Sequence, residues 1–241
     1  MTTYVERLND IADNYHDADV PDKFIEKIGQ EYTLDWLSEK LSGRKRILEL
    51  GYGDGIINKY LNTAGFPVEV LEGSPKIISK AKSENPNIKV YQALFEEFVC
   101  NDPYDCVLAM HVLEHIDDPV ELLIKMKTWL LPGGVILIIV PNKNSLHRQL
   151  AVEMGLQQEL DDLSPRDLIV GHQRVYSHDT LTGDVEAAGY EVLEETGFCL
   201  KCLPNGMMLE HSEELIWAMN RISPKIPPTL LANIGMLVRV P

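Results

Sequence analysis

The chemistry-bearing residues of this 241-residue chain fall into three groups. The first is Gly51-Tyr52-Gly53-Asp54-Gly55, followed later by Glu72. Glycines at alternate positions let a backbone pass close to a ligand without a Cβ in the way, and a helix starting behind them offers free N–H groups to an anionic moiety. Glu72, 21 residues after Gly51, is spaced to accept hydrogen bonds from both hydroxyls of a ribose, and it would repel a 2′-phosphate. The second group is His111, Glu114 and His115: imidazoles four residues apart share one face of a helical turn, with the carboxylate beside them. The third is Gly171-His172-Gln173-Arg174-Val175-Tyr176, where alternation along an extended stretch sends His172, Arg174 and Tyr176 to one side. Histidine is the side chain best suited to accept a proton near neutral pH, so His111, His115 and His172 are the candidate catalytic groups. His172 is assigned a substrate contact or the base, and Arg174 the task of fixing its loop through acidic neighbours. His147 and Arg148 are further, weaker candidates in the lid, read first as solvated helix residues.

Strands and helices in alternation would position these groups. Apolar spacing predicts helix over Tyr4 to Leu41, with Phe24, Ile28, Leu34, Leu37 and Leu41 on the packed side. Arg46 to Leu50 reads as a strand running into the glycine turn, with Ile56, Ile57, Tyr60 and Leu61 at helical spacing behind it. Val68 to Leu71 is a second strand ending at Glu72, after which Ser74 caps and Pro75 opens a helix. Ile88 to Ala93, Tyr104 to Met110 and Val135 to Val140 follow as strands. Asp118 caps a helix running to about Leu130, and Leu131-Pro132-Gly133-Gly134 reads as its stop and a turn into the fifth strand. Residues 143–176 interrupt the rhythm as a polar, helix-prone insertion suited to be a lid. A helix from Ser177 to Ala188, a strand from Tyr190 to Gly197, a second insertion over 203–228 and a last strand, Asn233 to Val240, complete the chain. This pattern predicts an α/β fold, a parallel sheet with helices on both faces.

Bulk properties narrow the function. With 37 acidic against 22 basic residues the net charge is −15, a long-range field that repels nucleic acid, so no nucleic-acid partner is expected. The first ten residues carry neither a secretory nor a transit signal, so a cytoplasmic location is expected. The longest apolar run, Val135 to Pro141, is far short of the roughly 20 residues of a membrane span. Cys199 and Cys202 form a C-x-x-C without the second ligand pair a zinc site needs, and Cys100 and Cys106 read as packed thiols. Monomer and homodimer are both left open.

The glycine spacing separates two kinds of adenosyl ligand. A dinucleotide fingerprint requires glycine at the sixth position, which here is Ile56, so a nicotinamide oxidoreductase fits poorly. The run Ile-Leu-Glu-Leu before Gly51, the segment Tyr104 to Ile116 and Leu-Leu-Pro-Gly-Gly at 130–134 together resemble the class I S-adenosylmethionine-dependent methyltransferases, of the small-molecule type similar to ubiquinone-biosynthesis O-methyltransferases. That resemblance implies a Rossmann-like, doubly wound, seven-stranded, mostly parallel sheet with the last strand antiparallel, plus helical insertions forming a lid. It implies one domain over 1–241: an N-terminal helical cap (1–42), a cofactor-binding core (43–142), the lid (143–176) and the rest of the sheet (177–241). The implied cofactor is S-adenosyl-L-methionine, leaving as S-adenosyl-L-homocysteine. Gly51, Gly53 and Gly55 would line its methionine part, Glu72 its ribose, Leu94 with Phe95 its adenine, and Met110 with His111 its methionine end. Glu49, Gly73 and Ser74 complete the cofactor set, and Tyr15 would lie over it. Tyr52 stands where relatives carry a small residue. Some relatives hold a divalent cation near the fourth strand. No metal is assigned here, and His111, Glu114 and His115 are the set that would take one. The expected activity is methyl transfer to oxygen or nitrogen of a small-molecule acceptor such as a sugar, lipid precursor or secondary metabolite, the alternative being a non-catalytic binding module of the same fold.

Overall fold

The computed structural model describes residues 8–9, 11–13 and 21–241. Its centre is three strands buried on both faces: β1 (Ile47–Leu50), β4 (Tyr104–Met110) and β5 (Leu130–Pro141). A strand covered on both sides reads as a nearly continuous apolar run rather than an alternation. Leu48, Val107 and Ile136 therefore pack on one face with Leu122, Leu123 and Leu181, while Ile47, Leu108 and Leu137 pack on the other with Leu37, Leu41 and Leu61. Burial of each such side chain contributes roughly 1.5–3 kcal/mol.

The sheet has seven strands in the order β3-β2-β1-β4-β5-β7-β6, with β2 at Val68–Glu72, β3 at Val90–Gln92, β6 at Glu191–Phe198 and β7 at Asn233–Arg239. The pairs β1–β2, β2–β3, β1–β4 and β4–β5 are parallel; β7 lies antiparallel to both β5 and β6. The order reverses between β1 and β4, and the carboxyl ends there form the crevice where such sheets take ligands.

Local signals set the helices that follow the strands. Ser74 accepts from Ile77 N at 3.3 Å and Asp118 from Glu121 N at 2.9 Å, and each precedes the proline that opens its helix. The helices so started are α4 (Pro75–Glu84) and α5 (Pro119–Lys127); α3 (Ile56–Thr63) follows the glycine turn and α8 (His178–Ala187) is capped by Ser177. The expected helix over Tyr4 to Leu41 is, in its described part beyond residue 20, two helices, α1 (Lys23–Tyr32) and α2 (Leu34–Leu41). They part at Thr33, whose hydroxyl donates to Gln30 O at 2.7 Å and closes the first. Leu131 to Gly134 also differs from expectation: it belongs to β5. Leu130 pairs with Tyr104, the next pair is Val135 with Cys106, and the intervening residues form an irregularity in the strand. Proline and glycine are tolerated at such a bulge.

The first insertion folds as α6 (Leu146–Glu153) and α7 (Pro165–Ile169), and the second carries α9 (Glu213–Ile222). Ile216 and Met208 pack on Ile25 and Ile28 of α1. Among the described residues no helix is long and apolar enough to cross a membrane. All four cysteines are unbridged.

Candidate active site

The glycine turn stands at the sheet's switch point. Gly51 and Gly53 have φ of 72° and 53°, and a Cβ built on either meets no protein atom within 4 Å. Both line a cavity of about 210 Å³, together with Glu49, Glu72, Gly73, Ser74, Leu94, Phe95, Met110, His111 and His115. Gly55, at φ 77°, answers a different need: a Cβ there would lie 2.5 Å from the Tyr52 ring, which is itself buried and donates its hydroxyl to Glu84. Tyr15 lies outside the described residues.

Glu72 is 8% exposed; its Oε2 accepts from Tyr52 N at 3.1 Å and its Oε1 from Ser74 N at 2.7 Å. These bonds fix the carboxylate, an acceptor-only group suited to ligand hydroxyls. Burial pushes the Glu49 carboxyl up to about 8, against the pull of a 2.7 Å bond from Asn58 and with a further push from Glu72. Leu8, Ile11 and Ala12 add apolar surface to the lining. A floor that a Cβ would fill, an apolar flank at Leu94 and Phe95 and a fixed diol acceptor fit an adenosyl group.

Beyond β4 the chain makes an unusual turn. His111 has φ 56°, a region that non-glycine residues seldom enter, and its N–H donates to Ile139 O at 2.8 Å. Its Nδ1 lies 3.2 Å from Oε1 of Glu114, which a 3₁₀ turn, Leu113–His115, carries into full burial. Burial acts to raise the Glu114 carboxyl, but the His111 bond and the charges of His111, His115 and His172 outweigh it and hold the group below the usual carboxylate range. Its Oε2 has no hydrogen-bond partner among the described residues. Burial, reinforced by His172, lowers His115, whose ring meets that of His172 edge to face with centroids 4.7 Å apart. One ligand atom each from Glu114, His115 and His172 lie within 4.8 Å of one another. His172 thus stands where the sequence placed His111, and His111 is instead the partner of Glu114.

His172 arrives from the lid because the residues around it are strapped to the His111 loop. Gln173 N donates to Glu114 O at 2.8 Å, and its Nε2 donates to His115 O at 2.6 Å and Asp117 Oδ1 at 2.7 Å. Arg174 donates to the carbonyls of Leu113, Ile116 and Asp117, so it fixes the loop through backbone oxygens rather than the acidic side chains expected. Tyr176 is buried and bonds Asp184, so the expected common side for His172, Arg174 and Tyr176 is not observed. The segment has only one isolated bridge, Asn142 to Tyr176, and no regular pleat to enforce alternation.

Asp167 Oδ1 lies 3.0 Å from His172 Nδ1, and its Oδ2 accepts from Arg148 Nη2 at 2.7 Å and Ser164 N at 2.8 Å. Burial acts to raise Asp167; the His172 bond and the Arg148 charge outweigh it and keep it well below the usual range. Arg148 and His147 are not solvated as expected: Arg148 is 6% exposed and the Nδ1 of His147 is enclosed. His172, Asp167 and Arg148 line a second cavity of about 580 Å³, which shares Gln30 and His111 with the first. Sequence reasoning missed Asp167, Gln30 and Lys201. Only Asp167 had a local signal, Ser164-Pro165-Arg166-Asp167, which forms a capping box at the start of α7.

The sheet order and the cavity at its switch point define an adenosyl-binding α/β fold. The chain belongs to the class I S-adenosylmethionine-dependent methyltransferases: a family model described as a methyltransferase domain matches residues 23–195. The ubiquinone biosynthesis O-methyltransferase of Aeromonas salmonicida is 26% identical over 231 residues, covering 92% of this chain and 95% of that protein. Its namesake from Xanthomonas campestris is 24% identical over 157 residues, 62% of this chain and 65% of that protein's length. The crystal structure of an S-adenosylmethionine-dependent methyltransferase from Archaeoglobus fulgidus shares the fold with a TM-score of 0.60 at 19% identity, covering 89% of this chain and 94% of that one. The chain is therefore an S-adenosylmethionine-dependent methyltransferase.

Proposed function

We propose that this methyltransferase acts on a hydroxyl group of a small-molecule acceptor held in the larger cavity, with His172 as the base. The observation that carries the reading is the His172–Asp167 pair in a cavity that joins the cofactor cavity at His111. Asp167, ionised and able only to accept, keeps a proton on Nδ1 of His172 and leaves the Nε2 lone pair for an acceptor hydroxyl. When bound, S-adenosylmethionine supplies a methyl group on a sulfonium, open to in-line displacement. The protein's part is to place the acceptor oxygen behind that methyl and exclude water, an advantage of roughly 7–11 kcal/mol in well-oriented systems. Glu72, Gly51 and Gly53 hold the cofactor, and the strap from Gln173 to Arg174 holds the base. The relatives named as O-methyltransferases support oxygen as the accepting atom.

The test is incubation with methyl-labelled cofactor and a metabolite extract, followed by assay of His172→Gln on the labelled acceptor. Turnover should fall about 10²–10⁴-fold with little change in S-adenosylhomocysteine affinity. An unchanged rate removes His172 as base, and an extract that takes up no label removes the small-molecule reading. A second reading has its own observation, the partnerless Oε2 of buried Glu114 near His115 and His172. One carboxylate and two imidazoles suit a divalent cation, which would make the acceptor hydroxyl more acidic. Loss of turnover on chelation in the same assay selects it.

A further inference from the structure

The larger cavity holds polar groups that the methyl-transfer chemistry leaves unused. Of its long cationic side chains, Arg148 has Asp167 at 2.7 Å and Arg166 has Glu26 at 3.3 Å. Lys201, just beyond β6, has no carboxylate within ion-pair distance among the described residues. Its ammonium donates to Oδ1 of Asn205 at 2.8 Å, and the remaining acid of the wall, Asp22, accepts from the Asn205 amide at 2.9 Å. Two further enclosed atoms on the same wall lack partners among the described residues, Nδ1 of His147 and Oδ1 of Asn220. Burial lowers the pKa of both Lys201 and His147; the Lys201 charge lowers His147 further, while Glu26 acts to raise Lys201 and Arg148 to lower it. An enclosed ammonium bonded only to a neutral amide, with the carboxylates of Glu26 and Asp167 acting on it from beyond ion-pair distance, and under-bonded buried polar atoms are unfavourable in the free protein. They become favourable once a ligand completes them.

We propose that this end of the cavity receives an anionic group of the acceptor, a carboxylate or a phosphate, with Lys201 as its counter-charge and His147 as a second hydrogen-bond donor. The inference rests on the larger cavity being the acceptor site. With a net charge of −15 the molecule repels anions at long range, so an anionic acceptor has to be recognised by contacts of this kind inside the cavity. Asn220 Oδ1 would accept the hydroxyl of a singly protonated phosphate or another hydroxyl of the acceptor.

The experiment is titration of benzoate, phenyl phosphate and neutral benzamide into the full chain saturated with S-adenosylhomocysteine. At least one anion should bind roughly tenfold or more tightly than benzamide, the range of a charge-assisted hydrogen bond. Lys201→Met should lose the preference and Lys201→Arg should keep it, while both retain S-adenosylhomocysteine affinity, which also reports that they fold. The tighter of the two anions identifies carboxylate or phosphate as the group. Equal binding of all three probes, no saturable binding of either anion, or a preference that survives in Lys201→Met overturns the proposal. Normal S-adenosylhomocysteine binding with no anion preference rejects this subsite alone, whereas failure of the wild type to bind S-adenosylhomocysteine rejects the reading of the site as a whole.

Discussion

Glu49 is the cavity residue whose ionisation the fold displaces most clearly. Its carboxyl sits at about 8 against an ordinary 4.5, so between those values the folded protein carries a proton that the unfolded chain has lost. This residue's contribution to stability is therefore present at low pH and declines as pH rises from about 5 through 8. A nearby cation favours the ionised form, and S-adenosylmethionine brings both a sulfonium and an ammonium. Cofactor binding at pH 7.5 should then expel a proton: calorimetry in phosphate and in Tris should give different apparent enthalpies for the wild type and equal ones for Glu49→Gln. The places of Glu49, Gly51 and Gly53 in the cavity were legible because one strand and its turn carry all three, and that of Glu72 because it ends the strand paired beside them. His172 was legible as a type but not in its setting, since Asp167 and Arg148 reach it only after two helices fold against each other.

Among elements, the glycine turn shows two uses of one residue type. Gly53→Ala would place a methyl in open space at φ 53°, whereas Gly55→Ala at φ 77° would drive one into a buried ring. The left-handed backbone costs about 1–3 kcal/mol in either case. Gly55→Ala should therefore lower the melting temperature distinctly more than Gly53→Ala, and Gly53→Ala should weaken S-adenosylhomocysteine binding more than Gly55→Ala. Thermal unfolding and calorimetry on the pair check this, and equal behaviour would show that Tyr52 is not the reason for Gly55. Strand β4 and the caps of α4 and α5 agree with the sequence reading because their signals are local. The start of β5 was misread as a turn because Leu130 is strand only by virtue of its distant partner Tyr104. For the same reason Arg148, on an apparently polar helix, could not be seen as buried: its partner lies 19 positions away on α7.

Across the whole molecule, a parallel sheet with helices on both faces follows from the rhythm of strands and glycine turns and the antiparallel final strand from the family resemblance, whereas the division of the crevice follows from neither. Gln30 and His111 line both cavities; His111 was expected at the methionine end of the cofactor, whereas Gln30 had no sequence signal. The smaller chamber is lined by Leu8, Ile11 and Ala12 with Gly171 and Gln173 of the lid, the larger by other lid residues with α1 and α9, so most of each lining is its own. Two guests held by largely different walls need not queue. With the acceptor in the larger cavity, as proposed, spent cofactor should be exchangeable while the acceptor stays in place, and an acceptor should bind the empty enzyme about as tightly as the enzyme filled with S-adenosylhomocysteine. Isothermal titration in the two states measures that ratio; a large gain on filling would mean that the first guest builds the second room, and the order of arrival would then be compulsory.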